Sequence, residues 1–117
     1  MNILFILNGA PYGSEATYNG LRLAGALSKR SDNVIRLYLM GDSVGTAKRG
    51  QKFAANHGNL EAMLHVVAHA NDSQVGACGS CLDARGITAE DLTQGVHRGS
   101  LEELADWTEW SDKALVF

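Results

Sequence analysis

The sequence predicts an α/β fold: one domain over residues 1–117, a mainly parallel five-stranded sheet with helices on both faces. Three observations carry that expectation. The chain opens and closes on short apolar runs, Ile3-Leu4-Phe5-Ile6-Leu7 and Ala114-Leu115-Val116-Phe117, of the kind found in strands covered on both sides. Between them, strand-like and helix-like segments alternate. The length of 117 residues, 45% of them hydrophobic and 20% charged, suits one soluble core and is too short for two.

Ile3–Leu7 is the first strand, and the turn-rich Asn8-Gly9-Ala10-Pro11-Tyr12-Gly13 follows it. Ser14 offers an N-cap for a helix to about Lys29, with Ala16, Gly20, Leu23, Ala24 and Leu27 inward. Small residues there let the helix lie close on the sheet. Val34–Met40 is the second strand, and Gly41-Asp42-Ser43 turns the chain into a short helix from Val44 to about Ala55, whose Lys48, Arg49 and Lys52 form a solvated basic face.

From Asn59 as cap, Leu60, Met63, Leu64, Val67 and Ala68 make the clearest helical stripe in the sequence. Ser73–Ala77 is a weaker third strand that leads into both cysteines and a helical turn stopped by Gly86. Thr88-Ala89-Glu90-Asp91 reads as a capping box, and Gly95-Val96-His97 as a short fourth strand. Ser100-Leu101-Glu102-Glu103 opens a last helix to about Trp110, with Leu101, Leu104, Ala105 and Thr108 inward. Lys113–Phe117 then closes the chain as a buried fifth strand.

Ligands of such sheets bind beyond the carboxyl ends of the strands. That edge gathers the loops Asn8–Ser14, Gly41–Ser43 and Ala77–Cys81, and with the last of them the two cysteines of the chain. Cys78 and Cys81 stand at a strand-to-helix turn, where unpaired N–H groups and the peptide dipole favour a thiolate. Cys78 lies nearest that end and is the expected nucleophile; Gly76 and Gly79 mark a loop where backbone comes close to something. Asp42 and Arg85 could hold substrate or steady the thiolate, with Asn8, Tyr12 and Gly79 as further candidate binding residues. Each has an ordinary structural alternative: small core cysteines, a helix-capping acid, a solvent-facing arginine.

A thiolate there could relay sulfur as a persulfide, or cycle with Cys81 between dithiol and disulfide. The spacing does not choose. His65 and His69, four residues apart, could share a zinc ion with the cysteines, but both lie off the apolar stripe on a helix that runs away from the cysteine loop, so no metal is expected. The glycines of the first loop match no phosphate-binding pattern, and no cofactor is expected. A net charge of -3 argues against a nucleic-acid partner. The N-terminal apolar run is too short to span a membrane and has no basic residues before it, which points to a cytoplasmic protein. Trp107 and Trp110 on one helix suggest a homo-oligomer.

The opening strand, the Met40-Gly41-Asp42 turn, the segment Ala77-Cys78-Gly79-Ser80-Cys81-Leu82-Asp83-Ala84-Arg85-Gly86 and the final strand together resemble the DsrE/DsrF-like family. The resemblance spans nearly the whole chain, and its specific part is the cysteine segment closed by Arg-Gly. It implies a three-layer α/β/α fold, trimeric or hexameric assembly, and persulfide transfer in tRNA thiolation or sulfur oxidation. It further implies a sulfur donor such as a cysteine desulfurase and a downstream acceptor protein. In relay members the sulfur-carrying cysteine stands seven residues before the Arg-Gly pair, which here selects Cys78. Cys81 departs from the pattern of dedicated relay subunits, and a neighbouring thiol can expel sulfide from a persulfide. A dithiol oxidoreductase, or a non-catalytic oligomeric small-ligand-binding module, therefore remain alternatives.

Overall fold

A computed structural model describes residues 1–52 and 58–117. Five strands, β1 (Asn2–Leu7), β2 (Val34–Leu39), β3 (Gln74–Cys78), β4 (Val96–Gly99) and β5 (Lys113–Val116), form one sheet in the order β4-β3-β2-β1-β5. Every neighbouring pair is parallel. The helices are α1 (Ala16–Ser28), α2 (Leu60–Ala68), α3 (Gly79–Ala84) and α4 (Leu101–Trp110), with 3-10 turns at Gly41–Ala47 and Ala89–Asp91.

This order decides which face each helix covers. From β1 to β4 the chain steps in one direction across the sheet, so right-handed crossovers put α1, α2 and α3 on the same face. There Ile3, Phe5, Leu7, Ile35, Leu37, Leu39, Val75 and Ala77 meet Leu21, Leu60, Leu64, Val67 and Leu82 in the main core. The return from β4 to β5 runs the other way, and α4 crosses the opposite face, where Leu4 and Tyr38 pack against Leu104 and Trp107. Fully burying one such side chain contributes roughly 1.5–3 kcal/mol.

Several local expectations give way to this packing. Helix α1 buries Thr17, Gly20, Leu21 and Ala24, while Leu23 and Tyr18 face out. Glycine at position 20 lets the helix settle onto Leu7 and Phe117. Ser14 stands one residue before the N-cap and accepts the Ala16 N–H at 3.3 Å. The expected helix from Val44 is a 3-10 turn that ends at Ala47, because Lys48 leaves it to bridge Leu92; the expected end near Ala55 lies outside the described residues. Gly76 is no loop residue but a buried strand position, where a Cβ would meet Glu103, His97 and Tyr38.

The last helix turns a different face inward from the one expected. Ser100 caps it as predicted, through the Glu103 N–H at 3.2 Å. Leu104 and Trp107 are its buried residues, whereas Leu101, Ala105 and Thr108 are exposed. The indole decides this, because Trp107 fills the space above the sheet edge-on to Tyr38, with ring centroids 6.0 Å apart. Trp110 lies half-buried under the Arg36 guanidinium, 4.0 Å from its ring centroid, so the tryptophans belong to the fold of one chain rather than to a free surface. β5 is an edge strand and largely exposed, not buried, since only β1 pairs with it.

Candidate functional site

β3 ends at Cys78, and α3 begins at the next residue, so Cys78 takes the N-cap position of a short helix. The helix stops at Gly86, whose φ of +65° is the left-handed conformation that only glycine adopts freely. Both cysteines are free, half-buried and close together: Cys81 donates to the Cys78 sulfur at 2.8 Å. Ser80 Oγ lies 3.3 Å from the same Sγ.

These contacts separate the two sulfurs chemically. Burial alone would raise the pKa of Cys78, but the Cys81 thiol and the Ser80 hydroxyl on its sulfur, helped by the nearby amides of Cys81 and Ser80, outweigh it and hold the thiol below its ordinary value. Cys81 moves the other way. Burial and the proton it shares with Cys78 raise its pKa, against the Gly41 amide and the charge of Arg85. The arrangement therefore favours a thiolate on Cys78 and a thiol on Cys81.

The turn after β2 clamps this pair from the side. Gly41, at φ +54°, aims its N–H at Cys81 Sγ from 3.3 Å. Next to it, Asp42 Oδ1 accepts two hydrogen bonds from Arg85, at 2.8 and 3.2 Å, and Arg85 Nη1 reaches back to the Cys81 carbonyl at 3.1 Å. Asp42, Gly79, Cys78, Cys81 and Arg85 thus form one cluster.

The side chains of the two other candidates are engaged elsewhere, although the Asn8 carbonyl borders Gly41. Asn8 uses its side chain on the Phe117 carbonyl at 3.4 Å. Tyr12 donates to Gln51 Oε1 at 2.6 Å, accepts the Leu60 N–H, and lines a different cleft with Pro11 and Tyr18. His65 and His69 have their own partners, Thr93 Oγ1 at 2.5 Å and the His65 carbonyl at 2.8 Å.

Over the thiols opens a cavity of about 490 Å³, lined by Tyr38, Met40, Gly79, Arg98, Ser100 and Leu101 beside the two cysteines. Tyr38 is fixed there by donating to the Ser100 carbonyl at 2.9 Å; burial first, then the charges of Cys78, Glu103 and Cys81, push its pKa up to about 12. It stays a neutral donor. Of the lining residues beyond the cysteine segment, sequence reasoning assigned none to the site. Strand alternation on β2 could have found Tyr38 and Met40, which face away from Leu37 and Leu39. Arg98 and Ser100 carried no such signal, because the register of β4 against β3 places them.

Fold and site together define a three-layer α/β protein with a Cys-x-x-Cys pair at the carboxyl end of an inner strand, beneath an open pocket. The chain belongs to the DsrE/DsrF-like family, whose model matches residues 1–117. It is 45% identical to protein YchN of Escherichia coli over 116 residues, 98% of this chain and 97% of that one. It is 31% identical to an uncharacterised protein of Methanopyrus kandleri, over 98% of this chain and 93% of the other. Its fold matches the crystal structure of E. coli YchN with a TM-score of 0.92 at 44% identity, covering 100% and 99% of the two chains.

Proposed function

We propose that the protein is a sulfur carrier, taking up sulfur on Cys78 as a persulfide and passing it to an acceptor, in the manner of a sulfurtransferase. Membership of the DsrE/DsrF-like family suggests a role of the sulfur-relay type. The observation that carries the finer reading is the meeting of the Cys81 thiol, at 2.8 Å, and the Ser80 hydroxyl, at 3.3 Å, on the Cys78 sulfur beneath an open pocket. In the transfer, the Cys78 thiolate attacks the outer sulfur of a donor persulfide. A new S–S bond forms, the donor's S–S bond breaks, and the donor thiolate leaves with the electron pair. The proposed donor is a protein such as a cysteine desulfurase and the acceptor a second protein. A cytoplasmic setting, where free thiols persist, belongs to the same reading. So does a homotrimer or homohexamer, which the exposure of Leu101 and Val116 supports.

The 2.8 Å between the sulfurs supports a second reading, a dithiol-disulfide couple. Cys81 could attack the inner sulfur of a Cys78 persulfide, form the disulfide and release sulfide. Incubation with a cysteine desulfurase and cysteine, followed by intact-mass measurement, separates the two. The carrier reading expects one added sulfur on the wild type, retention in Cys81→Ser and none in Cys78→Ser. An internal disulfide with no sulfurated species, reversed by glutathione, hands the site to the oxidoreductase. Two thiols inert to alkylation in the folded state would leave only a non-catalytic ligand-binding module.

A further inference from the structure

We propose that Arg98 makes the Cys78 pocket select sulfur compounds that carry negative charge beside the reacting sulfur, and that Asp83 sets the strength of that selection. The proposal rests on Cys78 being the reacting thiol. Arg98 sits on β4 opposite Ala77 of β3, so its side chain leaves the sheet on the α3 side. From there it crosses the first turn of α3: a Cβ on Gly79 would fall 2.8 Å from Arg98 Cζ and 2.9 Å from both Nε and Nη2. The guanidinium occupies the space that any side chain at position 79 would need. Gly79 is not among the residues with positive φ, so a side chain there would meet no backbone strain and would instead have to displace the guanidinium.

Beyond Gly79 the guanidinium ends in a fork on Asp83, with Nη1 to Oδ1 and Nη2 to Oδ2 both at 2.8 Å. The fork fixes its orientation and uses two of its five N–H donors. Among the described residues no acceptor takes the other three, and the same residue forms part of the pocket wall beside Cys78. An exposed ion pair contributes little to stability, so tying β4 to α3 does not by itself account for so close a fit. The charge of Cys78 also contributes to raising the pKa of Arg98. A cation held beside a thiolate, with donors still free, attracts an incoming anion and steadies the negative charge shared with the attacking sulfur. Thiosulfonates, persulfide anions and thiols bearing a nearby carboxylate share this chemistry.

Competing alkylation of the reduced protein by iodoacetate and iodoacetamide, read at Cys78 by peptide mapping, tests the proposal. Iodoacetamide alone reports whether Cys78 is a reactive thiolate; the ratio of the two rates reports charge selection. In Arg98→Gln the ratio is expected to fall roughly fivefold at low salt, the size of one charge a few ångströms away in water. Gly79→Ala, which evicts the guanidinium but keeps its charge in the chain, is expected to lower it as well. Asp83→Asn breaks the same ion pair and is expected to raise it. A ratio unchanged in Arg98→Gln, or moved in the same direction by Arg98→Gln and Asp83→Asn, overturns the proposal. An unreactive Cys78 toward iodoacetamide in the wild type would instead overturn the sulfur-carrier reading on which it rests.

Discussion

On one face of the sheet α1, α2, α3 and the 3-10 turn at Gly41–Ala47 close over Ile3, Phe5, Ile35, Leu37 and Val75 and leave them buried. On the other face α4 alone crosses, covering Leu4 and Tyr38 but leaving Leu101 exposed at the thiol pocket and Val116 exposed on the far edge strand. Both faces belong to the same five strands, and the sheet order makes them unequal. Four strands are laid down stepwise with crossovers on one side, and a single helix must serve the return. The under-covered face is where the cysteines meet solvent. Its core is thin, and its polar groups are arranged on glycines: Tyr38, Glu103 and His97 pass over Gly76, and Tyr38 and Glu103 over Gly99.

The largest effect expected from this contrast lies on the closed face. Phe5 is fully buried and stacked on Phe117 with ring centroids 6.2 Å apart. Phe5→Ala should lower the unfolding free energy in urea by about 3–5 kcal/mol, because a cavity there has no open side to collapse from. A loss under about 1.5 kcal/mol, the cost of a volume-conserving core exchange, would break the distinction between the faces. Next comes the chemistry of the open face. Since Cys78 is held below the ordinary thiol range and Cys81 above it, alkylation followed against pH should label Cys78 first as the pH rises. Equal labelling at every pH would remove the difference that the proton between Cys81 and Cys78 creates.

The end of α4 should show a smaller effect. Ser100 caps the helix with its hydroxyl and receives the Tyr38 hydroxyl on its carbonyl. Ser100→Ala keeps the second contact and loses the first, for a cost of about 1 kcal/mol by denaturant titration. A cost near zero would mean that Trp107, not the cap, holds the helix in place.

The same contrast separates what the sequence discloses from what it hides. β1, β2 and α2 were legible because each is buried by its own pattern: a run covered on both faces, or a stripe three and four residues apart above a capping Asn59. The cysteine turn was legible because the chemistry of a strand-to-helix junction is local. β5 and β4 are edges whose burial depends on one neighbour: both read as strands in the sequence, but β5 is expected buried there, and the expected fourth strand stops at His97, short of Arg98 and Gly99. Arg98 was hidden for that reason, since strand register rather than spacing carries residue 98 to Gly79.

Helix α4 offers the finest test, because its sequence supports two stripes. Leu101, Leu104, Ala105 and Thr108 fall at helical spacing, and so do Leu104 and Trp107. Periodicity does not weigh an indole against a leucine; the packing of Trp107 on Tyr38 does, and it rolls Leu101 out to 71% exposure. A leucine packed inward would cost about 2–5 kcal/mol on truncation to alanine. Leu101→Ala in a dilute monomer should instead stay within about 0.5 kcal/mol of wild type, as an exposed substitution does. A larger loss that grows with protein concentration would show that another chain covers Leu101 in solution. The open face would then be closed by assembly, and the pocket over Cys78 would be walled partly by a neighbour.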